Sequence, residues 1–171
     1  MKSIRIGATL ALSALLLAGC NGTGSGEDPA DELEVTTTQT PTFQPQNVST
    51  IEVPATAGTV TDTGLNVEWT YQGSSYGATG GTVLTFLLKN LNDVPVPPEA
   101  IGDPTLERSD GAGGTIDVDL LTSSTITNGL DVPLGSLATT NVRYTFDVAP
   151  GNLWDAEVQV SNVAWSGSLN N

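Results

Sequence analysis

From residue 65 onward the chain alternates apolar and polar side chains. Leu65, Val67, Trp69 and Tyr71 are separated by Asn66, Glu68 and Thr70. A pleated strand sends successive side chains to opposite faces, so this stretch has one apolar face and one wet one. In residues 82–91, Val83, Leu84, Phe86, Leu87 and Leu88 leave little alternation before Lys89 and Asn90, which predicts a strand buried more fully on both faces. A helix is the competing reading for so short an apolar run, but Thr82, Val83, Thr85 and the preceding Gly80-Gly81 favour the strand. Residues 105–108 predict a short strand, residues 109–114 a hairpin-type turn, and residues 115–121 the strand that follows it. Val142, Tyr144, Phe146 and Val148 alternate with Arg143, Thr145 and Asp147. Near the C-terminus Ala156, Val158 and Val160 share one parity and Val163 and Trp165 take the other. That switch predicts a bulge or bend near Ser161-Asn162, letting one strand serve two sheets or turn a corner. No segment after residue 48 shows a sustained helical period with caps, so the pattern predicts an all-β, antiparallel sandwich.

The N-terminus reads differently. Lys2 and Arg5 precede an almost uncharged run over residues 6–17, and Leu17-Ala18-Gly19-Cys20 closes it with the one cysteine of the chain. The run is about a dozen residues, short of the roughly 20 that span a bilayer, and it ends without basic stop residues. Together these elements resemble a bacterial lipoprotein signal peptide. The resemblance implies cleavage before Cys20 and a covalent diacylglycerol/acyl lipid on that residue, the only cofactor-like group expected. Residues 1–19 are then the signal peptide. Residues 20–47 join a Gly-rich start, five acidic residues (Glu27, Asp28, Asp31, Glu32, Glu34) and a Thr/Pro/Gln stretch, a composition that predicts a disordered tether. As a coil, about 27 residues reach on the order of 30 Å. The Thr/Pro stretch is a candidate for O-linked sugars, and an unmodified linker explains it equally well. Residues 48–171 are long enough for one domain with its own core. The expected location is a membrane-anchored position on the extracytoplasmic face.

Charge narrows the partners. The chain carries a net −14, and loss of residues 1–19 removes two positive charges and no negative ones, giving −16 with only Lys89, Arg108 and Arg143 still basic. Such a domain repels nucleic acid, whose binding needs clustered Lys and Arg. With Cys20 lipidated no thiol remains for a disulfide, so the core must hold the fold alone.

Three stretches resemble the immunoglobulin-like domain of bacterial immunoprotective extracellular antigens and related lipoproteins. They are Leu65-Asn66-Val67-Glu68-Trp69; Val83 to Asn90 followed by Pro95-Val96; and Pro133-Leu134-Gly135 leading to Tyr144-Thr145-Phe146-Asp147-Val148-Ala149-Pro150. The resemblance spans most of residues 60–163 and implies an immunoglobulin-like sandwich at the cell surface, with no catalytic set to carry over. The paired cysteines of antibody domains are absent.

Candidate chemistry is sparse. Gly73-Ser74-Ser75-Tyr76-Gly77 fits the Gly-x-Ser-x-Gly pattern of a hydrolase elbow, but the chain has no histidine to serve as base and a strand follows rather than a helix. Ser75 therefore reads as a residue of a small-residue loop. Asp117 and Asp119, two apart on an expected strand, share a face near Asp110 in the preceding turn. Hard cations such as Ca²⁺ take six to eight oxygens, so these three are the candidate metal ligands, against the plainer reading of solvated carboxylates. Fourteen carboxylates after residue 48 offer no positional motif for glycoside hydrolysis. Trp69 shares its parity with Leu65, Val67 and Tyr71, which assigns it to the core. Trp154, beside Pro150-Gly151-Asn152, is the candidate surface aromatic. The loop over residues 93–104, with Pro97 and Pro98, is preordered and suits either a partner contact or a rigid crossover between sheets. These features point to a non-enzymatic interaction or adhesion module whose partner is an envelope or host protein. A ligand- or Ca²⁺-binding lipoprotein is the alternative, and a hydrolase a distant third.

Overall fold

The computed structural model describes residues 41–170. Among them nine strands form two sheets: β1 (Ile51–Pro54), β2 (Val60–Asp62), β3 (Val67–Tyr76), β4 (Thr82–Asn90), β5 (Thr105–Ser109), β6 (Thr115–Asp117), β7 (Thr139–Phe146), β8 (Ala156–Val160) and β9 (Val163–Gly167). One helical turn, α1 (Pro98–Ile101), joins β4 to β5, and a 3-10 turn, Pro150–Asn152, precedes β8. The strand orders are β1-β9-β8-β5-β6 and β2-β3-β4-β7. The fold is thus the expected β-sandwich. Every pair is antiparallel except β1, which runs parallel to β9. Read as A, B, C, E, F and G, strands β3, β4, β5, β7, β8 and β9 reproduce the A-B-E and C-F-G neighbour orders of an immunoglobulin sandwich, with β1 and β2 added before them.

Alternation puts the core where the sequence places it. Val67, Trp69 and Tyr71 of β3, Leu84, Phe86 and Leu88 of β4, and Val142, Tyr144 and Phe146 of β7 are buried against Val158, Val160, Val163 and Trp165 of the other sheet. Phe86 is the hub. Its ring lies 6.2 Å from Trp69, 5.3 Å from Tyr71, 6.2 Å from Tyr144 and, across the sandwich, 5.0 Å from Trp165. This aromatic cluster ties the sheets together where antibody domains use a disulfide. Two-sided burial of β4 is only partial: Val83, Thr85 and Leu87 are half-buried, flanked in register by Ser75, Thr70, Asn141 and Arg143 rather than by another layer.

Two sequence expectations change. Ser161-Asn162 is neither a bulge nor a corner but a two-residue hairpin turn. Val160 opposes Val163 across it, and Ser161 has φ 52°. Opposed residues share a face, which is why the apolar parity inverts. The strand over residues 115–121 is shorter than expected and divides between the sheets. Thr115–Asp117 pairs with β5 and Val118 N–H still donates to Leu106 O, whereas Asp119 O accepts from Asp147 N–H and Leu121 N–H donates to Thr145 O on the open edge of β7. Val118 and Leu120 follow the core across the gap between sheets. The same edge is closed further along by Gly129, whose N–H donates to Arg143 O, so β7 does not present a bare ladder.

Polar networks fix the end of the sandwich where the chain arrives. Fully buried Asp62 accepts from the N–H groups of Gly64 and Leu65 at 2.8 and 3.2 Å and from Asn162 Nδ2 at 2.9 Å. Gln46 N–H donates to Gly64 O and Phe43 packs on the core, so residues 43–51 are held against this end. Beside it, buried Asn90 donates to Val94, Leu134 and Gly135 carbonyls and accepts from Asn92. Val96 and Leu134 exchange backbone hydrogen bonds. Asn90, Pro95-Val96 and Pro133-Leu134-Gly135 thus belong to one loop cluster, held by one amide.

Candidate functional site

Cys20, the lipidation candidate, lies outside the described residues, as do residues 1–19 and most of the tether. The remaining candidates fall on the two ends and one flank of the sandwich.

The three aspartates do not assemble. Asp110 Oδ1 accepts from the N–H groups of Ala112 and Gly114 at 2.7 and 2.9 Å, closing the β5–β6 turn. These backbone donors hold its carboxyl below the usual aspartate range. Asp117 ends β6, and Asp119 has left that strand for the edge of β7. The expectation that the last two share a strand face is therefore corrected: the strand stops at the residue between the sheets. Among the described residues no group of three His, Cys, Asp or Glu side chains is placed to hold a metal ion. Asp117 instead faces Glu107, which faces Glu157, so the register lines up three exposed carboxylates across β6, β5 and β8. Sequence reading missed Glu107 and Glu157 because only pairing brings them beside Asp117.

Ser75 sits within β3, exposed and opposite Val83, followed by the hairpin to β4. No strand-to-helix turn presents it. Between Tyr71 and Gly73 the pairing slips by one residue, leaving Gln72 as a bulge, with Gly73 at φ 107°. The bulge ends the apolar alternation of β3, and Tyr76, at the hairpin end of the strand, is 81% exposed.

Trp154 is also open, at 55%, whereas Trp69 and Trp165 are fully buried. It lies between the 3-10 turn and β8, where Leu153 points into the core and Leu169 N–H donates to Leu153 O. Tyr76 ends β3 and Trp154 precedes β8, so both belong to the end opposite Gly64 and Asn162. Ten-residue β3 separates the two ends by roughly 30 Å.

The loop over residues 93–104 is the crossover between sheets. Pro97 and Pro98 are half-buried at the start of α1, Ile101 is buried, and Ser161 donates to Ile101 O at 2.8 Å. Next to α1 a cleft of about 370 Å³ opens on the flank of the sandwich, walled by Pro98, Glu99, Ile101 and Asp103 on one side and Asn128 to Leu130 on the other, with Tyr144 beneath. Tyr144 is 1% exposed, and its hydroxyl has no hydrogen-bond partner among the described residues. Burial, and then the negative charge of Asp103, raise its phenol well above the ordinary tyrosine range, so it stays protonated. Tyr71 makes the contrast. Burial pushes its phenol up to about 12, yet its hydroxyl donates to Leu169 O at 2.8 Å. Alternation marked Tyr144 as core, but nothing local in the sequence marked it as the floor of a cleft.

Comparison of the chain with protein-family models, with curated proteins and with solved structures returns no match, so what it does must be argued from its own residues.

Proposed function

We propose that this protein is a non-enzymatic, lipid-anchored envelope protein, similar to the immunoglobulin-like surface lipoproteins, whose sandwich holds a protein-binding loop end away from the membrane. The anchor rests on the sequence: a basic start, a short apolar run and Leu17-Ala18-Gly19-Cys20. The observation that carries the orientation is the opposition of the two ends. The N-terminal segment is pinned at the Gly64–Asn162 end, through Gln46 N–H to Gly64 O and Ile51 N–H to Asn162 O, while exposed Tyr76 and Trp154 lie at the other. Aromatic side chains that are costly to leave in water and that sit on preordered turns are the residues from which protein interfaces draw their anchors. The net −16 left after loss of residues 1–19 repels an anionic bilayer and favours the extended arrangement.

The test has two arms. Cys20→Ser should move the protein from the membrane fraction to the soluble one; retention in the membrane fraction overturns the anchor. Trp154→Ala combined with Tyr76→Ala should abolish capture of a defined partner from intact cells while Leu137→Ala, at another exposed apolar position, leaves capture unchanged. Equal loss in both variants overturns the assignment of the loop end.

A further inference from the structure

We propose that the flank cleft between α1 and residues 128–130 binds a small organic cation, a protonated amine with a short alkyl body, using Asp103, Glu99 and the Tyr144 hydroxyl. The proposal stands apart from the anchor and from the loop-end surface, and neither of their tests bears on it.

Three features of the cleft converge on that ligand class. The first is the floor. A Cβ placed on Gly129 would stand 3.6 Å from Tyr144 Cε1 and 3.8 Å from its hydroxyl, so the absence of a side chain at Gly129, with its φ of +74°, opens the cleft onto the tip of the ring. There the phenol oxygen is buried without a partner among the described residues. A buried hydroxyl left unpaired costs more than a paired one returns, and an N–H donor brought to it removes that cost. The second is charge. Asp103 and Glu99 line the walls, and neither belongs to an ion pair among the described residues. Asp103 lies near enough to Tyr144 for its charge to be felt at the phenol. Both carboxylates and the phenol oxygen accept hydrogen bonds, a set of acceptors that suits an ammonium with its three donors and rejects an anion. The third is the apolar wall of Pro98, buried Ile101 and half-buried Leu130, which suits an alkyl chain better than a polyol.

Other occupants fit less well. A hard metal ion wants six to eight oxygens and would favour a phenolate, which burial and Asp103 both oppose. At about 370 Å³ the cleft is at the small-molecule scale, well below that of a docked peptide. Asn128 is already committed: its Nδ2 donates to Leu121 O at 2.7 Å and its Oδ1 accepts from Thr145 N–H at 2.8 Å, so it shapes the wall rather than reading the ligand.

The experiment titrates the full chain, ¹⁵N-labelled in mild detergent with physiological salt, with n-butylammonium chloride and, separately, with n-butanol as the neutral counterpart. Butylammonium should shift the amides of Gly102, Asp103, Gly129 and Leu130 along one saturating curve, and butanol should not. Asp103→Asn should weaken binding about tenfold, the loss of one charge-assisted hydrogen bond, with Glu99→Gln as the second variant. Tyr144→Phe should also weaken binding, yet leave the melting temperature of the free protein unchanged or raised, because it deletes a hydroxyl that has no partner. Asp155→Asn, at the far end, should leave affinity unchanged. Equal shifts with butanol, a linear response without saturation, or affinity insensitive to Asp103→Asn and Glu99→Gln each overturns the proposal.

Discussion

Replacing Glu107 with lysine should stabilise the domain. Glu107 is the middle member of the carboxylate row Asp117–Glu107–Glu157, all three are exposed, and the one ion pair among the described residues is Lys89–Glu68 at 3.0 Å. Carboxylates at directly opposed positions stand about 6 Å apart, which at the dielectric constant of water is roughly 0.7 kcal/mol of repulsion per pair before screening. Physiological salt, with a Debye length of about 8 Å, leaves roughly half of that, so the two contacts made by Glu107 cost ~0.7 kcal/mol together. Glu107→Gln removes this repulsion. Glu107→Lys turns it into attraction and should yield about 1–1.5 kcal/mol, within the span of two cross-strand charge pairs. Urea unfolding followed by the emission of buried Trp69 and Trp165 measures it. The expected order at about 20 mM salt is Lys above Gln above wild type, with the differences collapsing near 1 M salt as the Debye length falls to about 3 Å. Made in a Glu157→Gln background, Glu107→Lys should yield about half as much, because one of the two pairs is gone. A lysine variant no more stable than wild type at low salt, or a gain that survives 1 M salt, would refute the reasoning: the side chains would then splay apart despite the register.

Other expectations follow from the same geometry. Phe86→Ala removes the ring that joins Trp69, Tyr71, Tyr144 and Trp165, and should cost about 3–5 kcal/mol by denaturant titration; a loss under 1 kcal/mol would mean the core collapses freely around the gap. Gly64→Ala brings a Cβ to 2.5 Å from Asn162 Nδ2 and 2.8 Å from Gln46 O. It should cost about 1–3 kcal/mol and speed hydrogen exchange in residues 43–51, whereas unchanged exchange there would show that Gly64 does not clamp that segment. Asp110 has a carboxyl pKa lowered by the Ala112 and Gly114 N–H groups. A group whose folded pKa lies below its unfolded value stabilises the fold above the unfolded pKa and loses that contribution as pH falls through the folded one. Asp110→Ala should therefore melt below wild type at neutral pH, with the gap closing below about pH 4. A gap that is constant from neutral pH down to pH 3 would assign the loss to packing instead.

How much of this was legible in the sequence depends on the range of the interaction. The alternation Val67-Trp69-Tyr71 and Val142-Tyr144-Phe146 is a local property, because strand pleating fixes the face of each side chain from its position alone. It put Trp69 inside, while Trp154 was marked as the open one by the turn residues Pro150-Gly151-Asn152 beside it. The parity switch at Ser161-Asn162 was visible too, but its cause was not: a bulge and a two-residue hairpin invert parity alike, and only the pairing of β8 with β9 distinguishes them. The split of residues 115–121 between two sheets was beyond local reading, since Val118 and Leu120 alternate as in any single strand.

The site residues divide in the same way. From the sequence alone come the sandwich class, the acidic composition, the lack of a histidine base and the Cys20 motif on which the proposed anchor rests, because each depends on composition or on neighbours in the chain. Tertiary structure alone decided that Asp110, Asp117 and Asp119 part company, that Glu107 and Glu157 flank one another, and that the Tyr144 hydroxyl ends beneath a cleft without a partner among the described residues. Charge proximity and hydrogen-bond satisfaction depend on which strands become neighbours, and that is settled by burying the shared core around Phe86 rather than by any local pattern.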